Sequence, residues 1–291
     1  MRDKLKGILC IISSAFFFAL MALFVRLSGD LPSVQKSFFR NFVAAMAAAI
    51  LLIRSRPKIQ MDRKSWTALI FRALLGTIGI LGNFYAVDHL VLADASMLNK
   101  MAPFFAILFS FFLLKERVSL FQAGAVLAAF AGVLLILRPS GASMELIPAL
   151  VGLMGGAAAG FAYTLVRLLS QRGVQGPFIV FFFSAFSCTV TLPFLIFHFT
   201  PMSSQQLLFL LLAGISAAGG QFSVTAAYSF APARELSVYD YSQVLFSAFL
   251  GFIVFGQIPD LLSWLGYCII CGAAVAMFLY TRHHSSISAS A

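Results

Sequence analysis

The sequence predicts an all-α integral membrane protein, ten transmembrane helices arranged as two inverted five-helix repeats. Three observations carry that prediction. The 291 residues are 61% hydrophobic and only 10% charged, with a mean hydropathy of +0.96, whereas soluble globular chains are near half apolar and about a quarter charged. Apolar runs of about 20 residues, the length that crosses a bilayer as a helix, recur along the whole chain. The two halves also match each other. Such a composition excludes a disordered, collagen-like or water-soluble protein and leaves no stretch over for a soluble domain.

Runs bounded by charged or Pro/Gly punctuation place the helices at 7–26, 34–53, 66–87, 92–114, 119–137, 147–169, 177–198, 205–229, 235–256 and 260–281. The first follows a basic start, Met1 to Lys6, as a signal-peptide core would. Its run reaches Val25 with no small-x-small site after it, well past the roughly 7–15 residues of such a core, so it reads as a retained span. The sharpest breaks are Arg54-Ser-Arg-Pro-Lys58, Lys115-Glu-Arg117, Arg138-Pro-Ser-Gly141, Gln171-Arg-Gly173 and Arg282-His-His284.

The net charge of +10 would suggest nucleic acid in a soluble protein; here it reads as orientation. With a cytoplasmic N-terminus, 15 of the 20 basic residues gather at inside ends and loops, Arg63, Lys64 and Arg72 among them. Arg26, Lys36, Arg40, Lys100 and Arg138 remain on the outer side. An even number of spans puts both termini in the cytoplasm, and the expected location is the inner (plasma) membrane.

Phe24-Val-Arg-Leu27 matches Leu165-Val-Arg-Leu168. Gly76, Gly82, Asn83 and Phe84 match Gly214, Gly220, Gln221 and Phe222; Gly124 and Gly132 match Gly266 and Ala274. These offsets cluster near 141 and divide the chain into repeats over 1–141 and 142–284, with 285–291 a disordered tail. Five spans per repeat is odd, so the second repeat enters the membrane in the opposite sense, the arrangement of secondary transporters that bind substrate between repeats near midplane.

Pro103-Phe-Phe-Ala-Ile-Leu108 running to Leu113-Leu-Lys-Glu-Arg-Val-Ser119, and Tyr239-Asp-Tyr241 running to Phe255-Gly-Gln-Ile-Pro-Asp260, resemble the fourth helices of the two-repeat, EamA-type branch of the drug/metabolite transporter superfamily. The likeness covers essentially the whole chain. That family closes the helix with Leu-Gly-Glu or Phe-Gly-Glu; here Lys115 stands for the Gly and Gln257 for the second Glu, which puts a charged role at 257 in doubt. The resemblance implies a metabolite transporter without a cofactor. It also implies a cavity lined mainly by spans 3, 4, 8 and 9, with 1, 2, 6 and 7 contributing and 5 and 10 peripheral.

Polar residues inside spans are the functional candidates, because a charge near the bilayer centre costs roughly 2.5–3.5 kcal/mol even on lenient scales. They are Arg40 and Asn41 in span 2, Asn83 in span 3, Asn99 and Lys100 in span 4, Gln221 in span 8, and Asp240 between Tyr239 and Tyr241 in span 9. Tyr163 and Tyr228 join them, since a membrane hydroxyl wants a partner. Lys100 and Asp240 occupy corresponding places in the inverted repeats with opposite charge. Arg40 and Lys100 are suited to a carboxylate or phosphate, with snorkelling to the outer headgroups as the rival reading. Asp240 is the candidate for a coupling proton. Asp88, His89 and Asp94 read as solvated loop residues. The rows Gly152/Gly156/Gly160, Gly76/Gly79/Gly82 and Gly124/Ala128/Gly132 read as faces for close helix packing, and Cys268-x-x-Cys271 as packing rather than metal or redox spacing.

The expected activity is alternating-access transport, with export the leading direction, of a small amphipathic anion or zwitterion such as an amino acid. The expected partners are that metabolite and the lipid bilayer, without nucleic acid, and the expected assembly is a monomer or weak dimer. Rivals are uptake or exchange of a nucleotide-like or other metabolite, an intramembrane enzyme, and a structural membrane protein. Paired Asp-rich motifs, a second facing membrane Asp, a base within reach of Ser216, and a Walker motif are all missing from the sequence. Span 1 holds no acid between Gly7 and Arg26, which disfavours proton-coupled export of large cations.

Overall fold

A computed structural model of the chain describes residues 2–55, 61–102, 104–105, 108–109, 119–137, 146–230 and 238–289. Its elements are α1 (Arg2–Leu27), α2 (Ser33–Ser55), α3 (Arg63–His89), α4 (Leu92–Asn99), α5 (Leu120–Leu137), α6 (Leu146–Gln171), α7 (Gly176–Phe197), α8 (Ser204–Phe230), α9 (Ser242–Phe255) and α10 (Leu261–Ala289). Among the described residues there is no strand. Eight described helical stretches are long and apolar enough to cross a membrane, and α5 contributes a shorter one, Ala123–Leu135. Large apolar side chains face outward, including Leu127, Phe249, Ile253 and Leu261, an exterior suited to hydrocarbon rather than water. Most of the 103–119 segment and residues 138–145 and 231–237 fall outside the described residues.

Local chemistry sets several helix ends. Asp62 caps α3 by accepting the Ser65 N–H at 3.1 Å, and hydrogen bonding from Ser65, its side chain first and its backbone second, holds the Asp62 carboxyl below the usual carboxylate range. α9 closes on Gly256 in the left-handed region (φ 64°), where a side chain would be strained. At the other extreme α10 continues to Ala289, so 285–289, expected as a disordered tail, prolong the helix.

The pairing of helices has two-fold symmetry. α1 packs on α8 as α3 packs on α6; α1 meets α9 as α6 meets α4; α2 meets α8 as α7 meets α3. The pairs α2·α7, α4·α9 and α5·α10 are their own mates. Exchanging the halves reproduces these pairings, which is what a duplicated five-helix unit predicts. α5 and α10 pair chiefly with each other, at the periphery.

Glycine permits the α3–α6 approach. A Cβ on Gly82 would lie 2.8 Å from the carbonyl oxygen of Val151, and one on Gly155 3.1 Å from the amide nitrogen of Asn83, so any larger residue forces the helices apart. Gly124 departs from its expected packing row, because a Cβ there would meet nothing within 4 Å.

Spans 4 and 9, expected as continuous helices, are both interrupted. Met101 donates to the Leu98 carbonyl (3.2 Å) and Phe104 to the Met101 carbonyl (3.0 Å). One hundred and forty residues later the pattern recurs, Tyr241 donating to Val238 (3.3 Å) and Val244 to Tyr241 (3.0 Å). In the first half the sequence supplies a reason: Pro103 has no N–H to give the carbonyl four residues back. Phe104 gives its N–H to Met101 rather than to the Lys100 carbonyl; a carbonyl so freed in a membrane needs another donor, and the Tyr241 hydroxyl donates to it at 3.0 Å. Ser242 Oγ does the same for the Tyr239 carbonyl at 2.7 Å.

Candidate functional site

Between the halves lies a cavity of about 60 Å³, room for only a few waters at roughly 15 Å³ each. Its walls come from α1 (Phe18, Met21), α2 (Arg40), α3 (Arg72, Gly76, Asn83), the first break (Asn99, Lys100), α6 (Tyr163), α7 (Phe183), α8 (Gln221) and α9 (Gln243). Among the described residues α5 and α10 contribute none of its lining. Arg72, Tyr163 and Gln221 also line a smaller space that continues toward Val166, Gly176 and Thr225, the end where α6 stops and α7 begins.

Three cations face this cavity. Lys100 Nζ pairs with Asp240 Oδ2 at 2.7 Å, so the two residues at matched positions of the breaks meet. Arg40 is 1% exposed; its Nη1 donates to Asn41 Oδ1, and Asn41 Nδ2 in turn donates to Ser187 Oγ at 2.8 Å and Ser37 Oγ at 3.2 Å. Arg72 is 3% exposed. Both guanidinium groups lie over the ring of Phe183, Arg72 at 4.3 Å and Arg40 at 5.9 Å from its centroid, a geometry worth about 0.5–2 kcal/mol per cation. Arg40 Nε and Arg72 Nε and Nη1 find no hydrogen-bond partner among the described residues.

Burial rules out snorkelling for Arg40 and Lys100, because neither head group reaches the surface. Arg40, Asn83, Asn99, Lys100, Tyr163 and Gln221 line the cavity, and Asp240 reaches it through Lys100. Asn41 does not line it and instead holds Arg40 in place. Tyr241 is spent on the Lys100 carbonyl, and Tyr239 packs edge-on against Phe278. Tyr228 lies on α8 with its side chain outside the described ones.

Arg72, Gln243 and Phe183 were not among the expected site residues. Arg72, counted with the cytoplasmic-end cations, belongs in the cavity wall. The overlooked signal is depth: nine residues past the start of α3, at 1.5 Å each, is about 14 Å into the membrane.

The acids expected as solvated loop residues are paired instead. Asp88 accepts from Lys36 Nζ at 2.6 Å, with Lys36 1% exposed, and from Ser33 at 3.3 Å. Asp94 accepts from Tyr267 Oη at 2.6 Å. Around them Gln35 exchanges bonds with Thr200 (2.9 and 3.0 Å), Gln206 donates to Ser28 (3.1 Å), Arg26 donates to the Leu90 carbonyl, and Gln257 accepts the Leu92 N–H (3.2 Å). Gln257, in place of the family's Glu, thus ties the two halves as a neutral acceptor. Together these bonds tie six helices at the end carrying 28–32, 90–91, 198–203 and 256–260. Toward the opposite end the described long-range ties include Arg172 Nη1 to Ser65 Oγ at 3.3 Å and Lys6 over the Phe230 ring at 5.6 Å.

A multi-pass helical membrane protein with two repeated halves closing on a small polar cavity has the architecture of a transporter. The sequence matches the EamA-like transporter family over residues 5–138 and again over 146–279, and the chain belongs to that family. It is similar to the Pseudopaline exporter CntI of Pseudomonas aeruginosa, 32% identical over 278 residues covering 94% of this chain and 97% of that protein. It is also similar to the human Solute carrier family 35 member G1, 27% identical over 267 residues covering 87% of this chain and 73% of that protein. A crystal structure of a protein 18% identical superposes with a TM-score of 0.67, over 96% of this chain and 99% of that one, a likeness of fold. The chain is therefore a transporter of the drug/metabolite superfamily and not an enzyme.

Proposed function

We propose that the protein is an inner-membrane secondary transporter that exports a small amphipathic anion or zwitterion, amino acid-like in type, by alternating access between its two repeats, with both termini in the cytoplasm. The observation that carries this reading is the cavity on the line between the halves, with Arg40, Arg72 and Lys100 in its walls. Cations in a water-poor site recognise carboxylate or phosphate. The bias of Lys and Arg supports the orientation, which makes the tied end the outer one, and similarity to a protein named as an exporter supports the direction. In this state the site is closed outward by Lys36–Asp88 and its neighbours, while the smaller space beyond Arg72 leads inward. A metabolite larger than a few waters must widen the cavity to bind, and rocking of one repeat on the other supplies the widening.

Uptake into proteoliposomes of carboxylated metabolites tests the reading. Arg40→Ala should lower transport by about tenfold or more through loss of a charge-assisted hydrogen bond to the solute, and Lys100→Ala by as much through loss of its bond to Asp240. Unchanged uptake of every carboxylated solute in both variants sinks it.

A further inference from the structure

The charges around the cavity do not balance. Lys100 already has its counter-ion in Asp240 at 2.7 Å. Arg40 and Arg72, 1% and 3% exposed, have between them one described side-chain acceptor, the neutral amide oxygen of Asn41. Three of their nitrogens meet no acceptor among the described residues. Guanidinium stays protonated in proteins, so these sites cannot be neutralised by losing a proton. Two buried cations without an anion among the described residues are costly in any interior and more so in a membrane, and the Phe183 ring they both lie over offsets only part of this.

The surroundings are built for the pair. Asn41, itself held by Ser37 and Ser187, fixes Arg40 from behind. Gly76 leaves the space that the Arg72 head group occupies, since a Cβ there would collide with Nη1 of Arg72 and lie 2.8 Å from the Phe183 ring. The unpartnered nitrogens belong to residues of the cavity wall.

We infer that the transported ligand carries two negative charges on oxyanions, either two carboxylates or one phosphate monoester, and that Arg40 and Arg72, both over the Phe183 ring, hold them. This sharpens, and rests on, the transport reading above. A single carboxylate or a zwitterion balances only one of the two cations. Lys100, engaged by Asp240, sets the far side of the site and is not the main anion contact.

The experiment is uptake by the purified chain in proteoliposomes, at fixed ionic strength, of succinate, glycerol 3-phosphate, lactate and glucose, with thermal unfolding of the detergent-solubilised protein in each solute. One of the two dianions should enter about tenfold faster than lactate, the effect of one further charge-assisted contact, and should raise the unfolding midpoint more. Succinate ahead of glycerol 3-phosphate identifies separate carboxylates; the reverse identifies a phosphoryl group. Arg72→Gln should lower uptake of the favoured dianion about tenfold more than it lowers uptake of lactate, and Arg72→Lys, which keeps the charge without the fork, should recover part of the difference. Thermal unfolding of each variant without solute checks that it is folded. Lactate or glucose entering as fast as the dianions, or Arg72→Gln and Arg72→Lys leaving the preference intact, overturns the inference while transport itself stands. Failure of all four solutes to enter above protein-free vesicles and to shift unfolding removes both.

Discussion

At residue 100 the first half of the chain interrupts its helix and presents an ammonium; 140 residues later the second half interrupts its helix with the same two hydrogen bonds and presents a carboxylate. A two-fold axis brings matched positions face to face, so identical charges there would repel. The halves have kept the backbone of the break and diverged in its charge, and the result is a bond across the axis. The rest of the cavity is also uneven. Asn83 and Gln221 are matched amides, and both line it, but Arg40 and Arg72 both come from the first repeat. At the offset that matches the glycines of spans 3 and 8, the counterpart of Arg72 is Leu210, fully buried. Duplication thus supplies a symmetric frame and mutation an asymmetric lining, and the anionic ligand proposed above would be held chiefly by the first repeat.

Breaking the bond across the axis should have the largest effect. Asp240→Asn keeps the shape of the side chain and leaves the Lys100 ammonium, 7% exposed, without its counter-ion. Loss of one partner from a buried pair destabilises by about 3–5 kcal/mol, seen as a lowered unfolding midpoint in detergent with transport lost. Lys100→Met combined with Asp240→Asn should recover most of the stability. A single Asp240→Asn variant within about 0.5 kcal/mol of wild type would mean that the matched charges do not hold the halves together.

Much of this frame was legible in the sequence. Composition and run length give the spans, and the near-constant offset gives the repeats and the correspondence of Lys100 with Asp240. What was not legible depends on rotation about a helix axis and on partners far along the chain. Arg72 counted as an inner-end cation because a tally along the sequence ignores how far a residue sits inside a span. Asp88 and Asp94 looked solvated because Lys36 lies 52 residues away and Tyr267 173. Asn41 had the same polarity as a lining residue, and only its bonds to Arg40 and Ser187 reveal a support. The interruption of span 9 has no proline to announce it, and its mate in span 4 has Pro103.

A matched pair of glycines separates frame from lining with a smaller effect. A Cβ at Gly76 would strike the Arg72 head group and Phe183, whereas one at Gly214 would first meet the Val43 side chain, at 2.5 Å. Overpacking costs typically about 1–3 kcal/mol. Gly76→Ala should cost less than that in stability, since the Arg72 tip can swing aside, yet raise KM for an anionic substrate about tenfold by misplacing the guanidinium. Gly214→Ala should lower the unfolding midpoint and leave KM within about twofold. Equal KM effects at both sites would argue that the two repeats contribute equally to binding.

The smallest effect belongs to Ser96 and Ser247, whose hydroxyls meet at 2.7 Å between α4 and α9, both fully or nearly buried. This bond joins the interrupted span of one half to that of the other, as Lys100–Asp240 does, but without charge. Side-chain hydrogen bonds between membrane helices average about 0.6 kcal/mol, and a serine that loses its partner can turn to the carbonyl one helical turn back. Ser96→Ala should therefore lower stability by about 0.6 kcal/mol, with Ser96→Ala/Ser247→Ala no worse than the single change. If α4 and α9 move as one body during the cycle, the bond persists in every state and its removal leaves the transport rate within about twofold. A rate change of about tenfold from so small a stability change would show that the bond is made in one state and broken in another, and that the two interrupted spans part as the cavity opens.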